Sequence, residues 1–206
     1  MMFLINVPVD HRDRLNYVLD LAWNIFIKRL ALRRIKVNKE SSMQLHYASL
    51  INSLGELMCI DKDDVFTIEL EHSYHGKNVD IVCYYNNFKA AVELKCFKKS
   101  SNRATDTDMY DVLKDIERLL DFEDFAVKRF LCLTDNPYYM NGEHSGHAES
   151  VSISHGTLYV TENPIISSWA GKWKNKSRDR TLHFNKDIGF EWFQENEWYF
   201  LNMRLD

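Results

Sequence analysis

A chain of 206 residues, 45% hydrophobic and 27% charged, is long enough for one domain with a sizeable core. Only 3 Pro and 7 Gly exclude long disordered linkers, and a formal charge of −4 excludes a uniformly basic nucleic-acid coat. Any nucleic-acid contact therefore has to come from a local patch. Cys59, Cys83, Cys96 and Cys132 are widely spaced, with no C-x-x-C pair, and read as free thiols of a reducing compartment. The start lacks the basic and apolar regions of a signal peptide, and no apolar run approaches the ~18 residues of a membrane span. The expectation is a soluble cytoplasmic protein without a membrane partner.

In chain order, Leu15, Val18, Leu19, Ala22, Trp23 and Phe26 recur at helical spacing and predict a helix over 10–29, capped by Asp10. Lys28, Arg29, Arg33, Arg34, Lys36 and Lys39 form a basic cluster, read as a solvated face, with a phosphate-facing patch as the alternative. Residues 30–37 alternate loosely and suggest a short edge strand. A second helix follows from Lys39 to Met58 on an apolar face of Met43, Tyr47, Leu50, Ile51, Leu54 and Leu57/Met58. After an acidic turn at 61–64, residues 65–72 alternate as a half-buried antiparallel strand.

Residues 78–97 read as a hairpin turning at Asn86-Asn87, since Asn tolerates the left-handed conformation of tight turns. A basic loop holding Lys98, Lys99 and Arg103 leads to a helix over 107–122, capped by Thr105 or Asp106. Its acidic stripe, Asp108, Asp111 and Asp115, reads as solvated. Residues 125–133 predict a buried strand. Residues 138–156 read as a mobile surface loop; a metal site on His144 and His147 is the weaker reading, because no helical period fixes both rings on one face. The remainder is β-rich, with strands at 157–161, 181–184, 189–193 and 197–205. Trp169 and Trp173 flank Lys172, Lys174, Lys176, Arg178 and Arg180, which form either a grip on a nucleic-acid strand or a solvated loop beside a packed Trp.

The chemistry gathers at the hairpin. Asp80 stands near the start of its first strand, and Glu93 and Lys95, two apart and so on one side, stand near the end of its second. Two converging carboxylates repel unless a proton or cation joins them, and a hard divalent ion such as Mg2+ (or Mn2+) suits the pair, with the Leu94 backbone carbonyl as a further ligand. Lys95 is then placed to orient an attacking water, lower its pKa or stabilise charge on a phosphate. A surface ion pair of Lys95 with Glu93 or Asp80 is the structural alternative, but such pairs contribute little. It does not explain why they follow Ala90, Ala91 and Val92 in a strand that reads as buried.

Val79-Asp80-Ile81-Val82 and Ala91-Val92-Glu93-Leu94-Lys95, between the helix ending at Met58 and the helix 107–122, resemble the PD-(D/E)XK nuclease superfamily over roughly residues 39–135. The resemblance departs at Asn78-Val79, where no proline precedes Asp80. It implies an α/β (α+β) fold: a central mixed sheet flanked by helices, with a restriction-endonuclease-like core. A β-rich C-terminal extension and the N-terminal helix would pack on that core in a single domain, 1–206. It further implies a Mg2+-dependent nuclease acting on DNA, with Asp80 and Glu93 holding the ion and Lys95 assisting water. A third carboxylate comes from the preceding helix, Glu40 with Gln44 one turn on, or alternatively Glu56. Lys98, Lys99 and Arg103 are candidates to hold phosphates, and a homodimer would cut two strands. A catalytically inactive module binding nucleic acid or a protein partner is the competing expectation.

Overall fold

The computed structural model describes residues 7–101, 103–165 and 181–206. Its elements follow the order α1 (His11–Ala31), α2 (Glu40–Leu57), β1 (Phe66–Tyr74), β2 (Lys77–Tyr85), β3 (Phe88–Phe97), α3 (Thr105–Leu120) and β4 (Val127–Thr134). Short strands β5 (Leu158–Tyr159), β6 (Ile188–Gly189), β7 (Trp192–Glu195) and β8 (Trp198–Arg204) complete the chain. The fold is α+β, with a six-stranded mixed sheet in the order β1-β2-β3-β4-β8-β7 and a separate β5–β6 pair. No helix of the described residues is long and apolar enough to cross a membrane.

The chain forms two compact units: Met1–Leu94 with Glu123–Arg129 and Asp206, and Lys95–Phe122 with Phe130–Leu205. In the first, the apolar stripe of α1 meets α2 through aromatic packing. Trp23 stacks on Phe26 and meets Tyr47 edge-on at 5.6 Å, and the Tyr47 hydroxyl donates to the Leu19 carbonyl at 3.0 Å. Asp10 caps α1 as the sequence predicts, accepting from the Asp13 amide at 3.1 Å. Buried Arg14, on the same apolar face, donates to Asp64 at 2.7 Å and Asp61 at 3.0 Å, tying α1 to the loop before β1. The expected edge strand at 30–37 is not formed: α1 runs on to Ala31, and Arg33 takes a left-handed turn (φ 56°). Loose alternation over so few residues does not distinguish a strand from the frayed end of an amphipathic helix.

In the second unit α3 begins earlier than expected. Its N-cap is Ala104, with no side-chain cap, so neither Thr105 nor Asp106 plays that part. The acidic stripe is not solvated. Asp108 and Asp115 are buried, Asp108 accepting from the Tyr139 hydroxyl at 2.8 Å and Arg103 at 2.8 Å. Carboxylates lie on the inward face because cations and a phenol meet them there, which helical periodicity alone does not report. The 138–156 segment is anchored, not a loose surface loop: Val151 and Ile153 are fully buried, and Trp192 Nε1 donates to the Ile153 carbonyl at 2.6 Å. Of the expected C-terminal strands, 181–184 reduces to a bridge, Ile165–Leu182, and 189–193 to parts of β6 and β7. The Trp169–Arg180 basic-aromatic piece lies outside the described residues.

Candidate active site

The hairpin turns where the sequence predicts, with Asn86 left-handed (φ 50°) and its side-chain oxygen accepting from the Val65 amide at 2.8 Å. From Tyr85–Phe88 the antiparallel register runs to Ile81–Val92 and stops. One step further along that register Asp80 faces Glu93, and directly opposite residues of an antiparallel pair project to one side. There a side chain replaces the backbone ladder: Asp80 Oδ2 accepts from the Leu94 amide at 2.6 Å.

The other edge of β2 is interrupted at the same place. Pairing with β1 runs through Leu70–Ile81 and resumes at His72–Val79, skipping the position where Glu71 stands opposite Asp80. Glu71 has φ 53°. Gln44 of α2 fills the gap, donating from Nε2 to Glu71 Oε1 at 2.8 Å and to the Asp80 carbonyl at 2.9 Å.

Burial is uneven across the site. Glu93 is 2% exposed between fully buried Val92 and Leu94, whereas Asp80 is half-buried. Glu40 opens α2 half-buried, one turn before Gln44 and on the same helix face. Glu56, the alternative third carboxylate, is exposed, accepts from Asn52 at 2.8 Å, and lies about 18 Å along the helix from Gln44 at 1.5 Å per residue. Of the two, Glu40 lies one turn from Gln44, the α2 residue tied to Asp80.

Lys95, two residues beyond Glu93 in β3, places its ammonium 2.7 Å from Asp115 Oδ2; Arg118 approaches the other oxygen at 3.3 Å. The phosphate candidates are engaged to different degrees. Lys98 pairs with Asp135 and lies over the Trp198 ring at 3.8 Å. Arg103 reaches Asp108 and, at 3.6 Å, Asp111. Lys99 is exposed, its amide donating to Asp135 at 2.6 Å. The basic cluster Lys28, Arg29, Arg33, Arg34, Lys36 and Lys39 is exposed throughout.

Two other groups have the residue types of a metal site, and one of them also the spacing. Both His144 nitrogens are used within the protein, Nε2 donating to the Tyr138 carbonyl at 2.8 Å and Nδ1 meeting the Ser152 hydroxyl at 3.0 Å. His11, Asp61 and Asp64 bring ligand atoms within 4.8 Å of one another. The Arg14 guanidinium already supplies positive charge to both aspartates. Burial pushes the Asp64 carboxyl up. Outweighing it are the Asp61 amide, the Tyr85 hydroxyl, the Ile60 amide and Arg14, which hold it down at about 2. This is an ion-pair node of the fold. Its sequence signal is Arg14 on an otherwise apolar helix face, since a buried arginine requires anionic partners.

Gln44 and Glu71 beside Asp80, and Asp115 beside Lys95, are contacts not assigned from sequence. Gln44 carried a signal, its spacing from Glu40; the left-handed backbone of Glu71 carried none, since Glu does not favour it. The chain matches no family model, and no curated protein or solved structure gives a significant match to it.

Proposed function

We propose that this chain is a Mg2+-dependent nuclease of PD-(D/E)XK type that hydrolyses phosphodiester bonds of DNA with an activated water. The observation carrying the proposal is the facing of Asp80 and Glu93 where the β2–β3 ladder stops, with one of the two carboxylates almost wholly buried. A donor set of two carboxylates and the Leu94 carbonyl is all oxygen, as a hard divalent ion requires. Each carboxylate oxygen has two lone pairs, so a hydrogen bond from the Leu94 amide is compatible with Asp80 acting as a ligand. A bound ion supplies Lewis acidity toward a phosphoryl oxygen and acidifies water. Lys95 donates to charge developing on the phosphoryl oxygens, exchanging its contact with Asp115, which retains Arg118. Glu40 extends the carboxylate set from α2. Lys98, Lys99 and Arg103 steer the backbone, and two copies of the chain cut the two strands.

The competing reading is an inactive nuclease-fold module that binds nucleic acid or protein. It is favoured by the ion pair that engages Lys95 and by the net charge of −4. Incubation of the protein with plasmid, single-stranded DNA and RNA in Mg2+ or Mn2+ separates the two. Cleavage of DNA that Asp80→Ala abolishes and Lys95→Ala slows by about 10²–10³-fold is expected. Absence of cleavage of every substrate supports the inactive module, and cleavage undiminished in both variants moves the site elsewhere.

A further inference from the structure

Asp80 owes its place to two residues that bind neither ion nor substrate in the reading above. Five non-glycine residues with positive φ occur among the described residues. Arg33, His75, Asn86 and Asn196 lie in turns or just past a helix end, where reversal of the chain calls for that conformation. Glu71 alone lies inside a strand. A non-glycine residue there is strained, and the strain persists only when surrounding contacts impose it. The distortion falls opposite Asp80, while pairing is regular on both sides, at Leu70–Ile81 and His72–Val79.

The consequence is local. With the β1 pairing interrupted at Glu71, the Asp80 carbonyl is held by the Gln44 side chain at 2.9 Å. The second Nε2 hydrogen goes to Glu71 Oε1 at 2.8 Å, so one amide uses both donors and links α2, β1 and β2. On the other side of the same residue, the carboxylate reaches the Leu94 amide at 2.6 Å. Gripped at both its backbone and its side chain, Asp80 has little freedom to turn from β3.

We infer that Gln44 and Glu71 are positioning residues that fix Asp80 for cation binding, with Gln44 as the clamp and the left-handed Glu71 as the opening that admits it. The inference rests on Asp80 being a metal ligand. Groups that orient a ligand from outside the coordination sphere are commonly worth 10–100-fold in metal affinity. Gln44→Leu removes both donors at similar size, and Gln44→Glu replaces them with an acceptor facing Glu71 and the Asp80 carbonyl. Glu71→Gln keeps an acceptor oxygen for Gln44 and serves as the conservative variant.

The test is a calorimetric titration of Mn2+ into each full-length variant, with the thermal midpoint of each measured alongside. The folded Gln44→Leu and Gln44→Glu proteins are expected to bind Mn2+ about 10–100-fold more weakly than folded wild type, and Glu71→Gln to bind within about threefold of it. If Gln44→Leu does not fold, Gln44→Glu carries the comparison. Midpoints that fall while the affinity of folded protein stays at the wild-type value overturn the inference, leaving Gln44 a structural residue. Asp80→Asn separates the two layers. Mn2+ binding that Asp80→Asn removes and Gln44 variants leave untouched overturns the clamp alone. Failure of wild type to bind Mn2+ through Asp80 overturns the active-site reading together with it.

Discussion

Single carboxylates in this chain differ in fate according to what nature of donor surrounds them. Asp64 is gripped by two backbone amides, a phenol and a guanidinium, and its carboxyl sits at about 2 against an ordinary value of 3.8. The folded form therefore holds its proton more weakly than the unfolded chain does. Its contribution to stability is complete above about pH 4 and drains away as pH falls toward 2. Thermal melts from pH 5 to pH 2 should show wild type losing stability over that window. Asp64→Asn, less stable at pH 7, should show a shallower decline; parallel pH curves for the two proteins would contradict this assignment. Glu93, by contrast, lies in a buried strand opposite a second carboxylate, Asp80. Residue types and spacing made Asp80, Glu93 and Lys95 visible in the sequence. Asp115 as the partner of Lys95 was not visible, because it sits twenty residues away on a helix whose acidic stripe has the pattern of a wet face.

At the scale of elements, periodicity located α1, α2, β1, the hairpin, α3 and β4 to within a few residues, since each is long enough for its period to repeat. The short C-terminal strands were less legible: two-residue pairings such as β5–β6 depend on tertiary neighbours and have no period to detect. Gly55 shows a third kind of illegibility. It lies within α2, where glycine is a poor helix former, yet a Cβ there would come within 2.1 Å of the Phe66 ring. The helix tolerates glycine so that β1 can approach. Gly55→Ala gains about 1 kcal/mol of helix propensity and meets an overpacking cost of about 1–3 kcal/mol. Urea unfolding should record a net destabilisation of up to about 2 kcal/mol; a raised midpoint would show that Phe66 yields without cost.

For the whole molecule, the α+β architecture and mixed sheet follow from the order helix, helix, hairpin strands, helix, strand, an order open to sequence reading. What that order does not supply is the interruption of β2 pairing on both sides of Asp80, which depends on Gln44 arriving from α2 and on Glu71 leaving the strand conformation. With a charge of −4, the nucleic-acid contact proposed for this chain would have to come from a local patch. Mg2+-dependent nicking of supercoiled plasmid by wild type beside Glu93→Gln tests the centre of this picture. Removing one of two facing carboxylates should leave the thermal midpoint equal or higher while cleavage falls by at least about 10²-fold. Cleavage by Glu93→Gln at the wild-type rate would contradict the assignment of Asp80 and Glu93 as the site of hydrolysis.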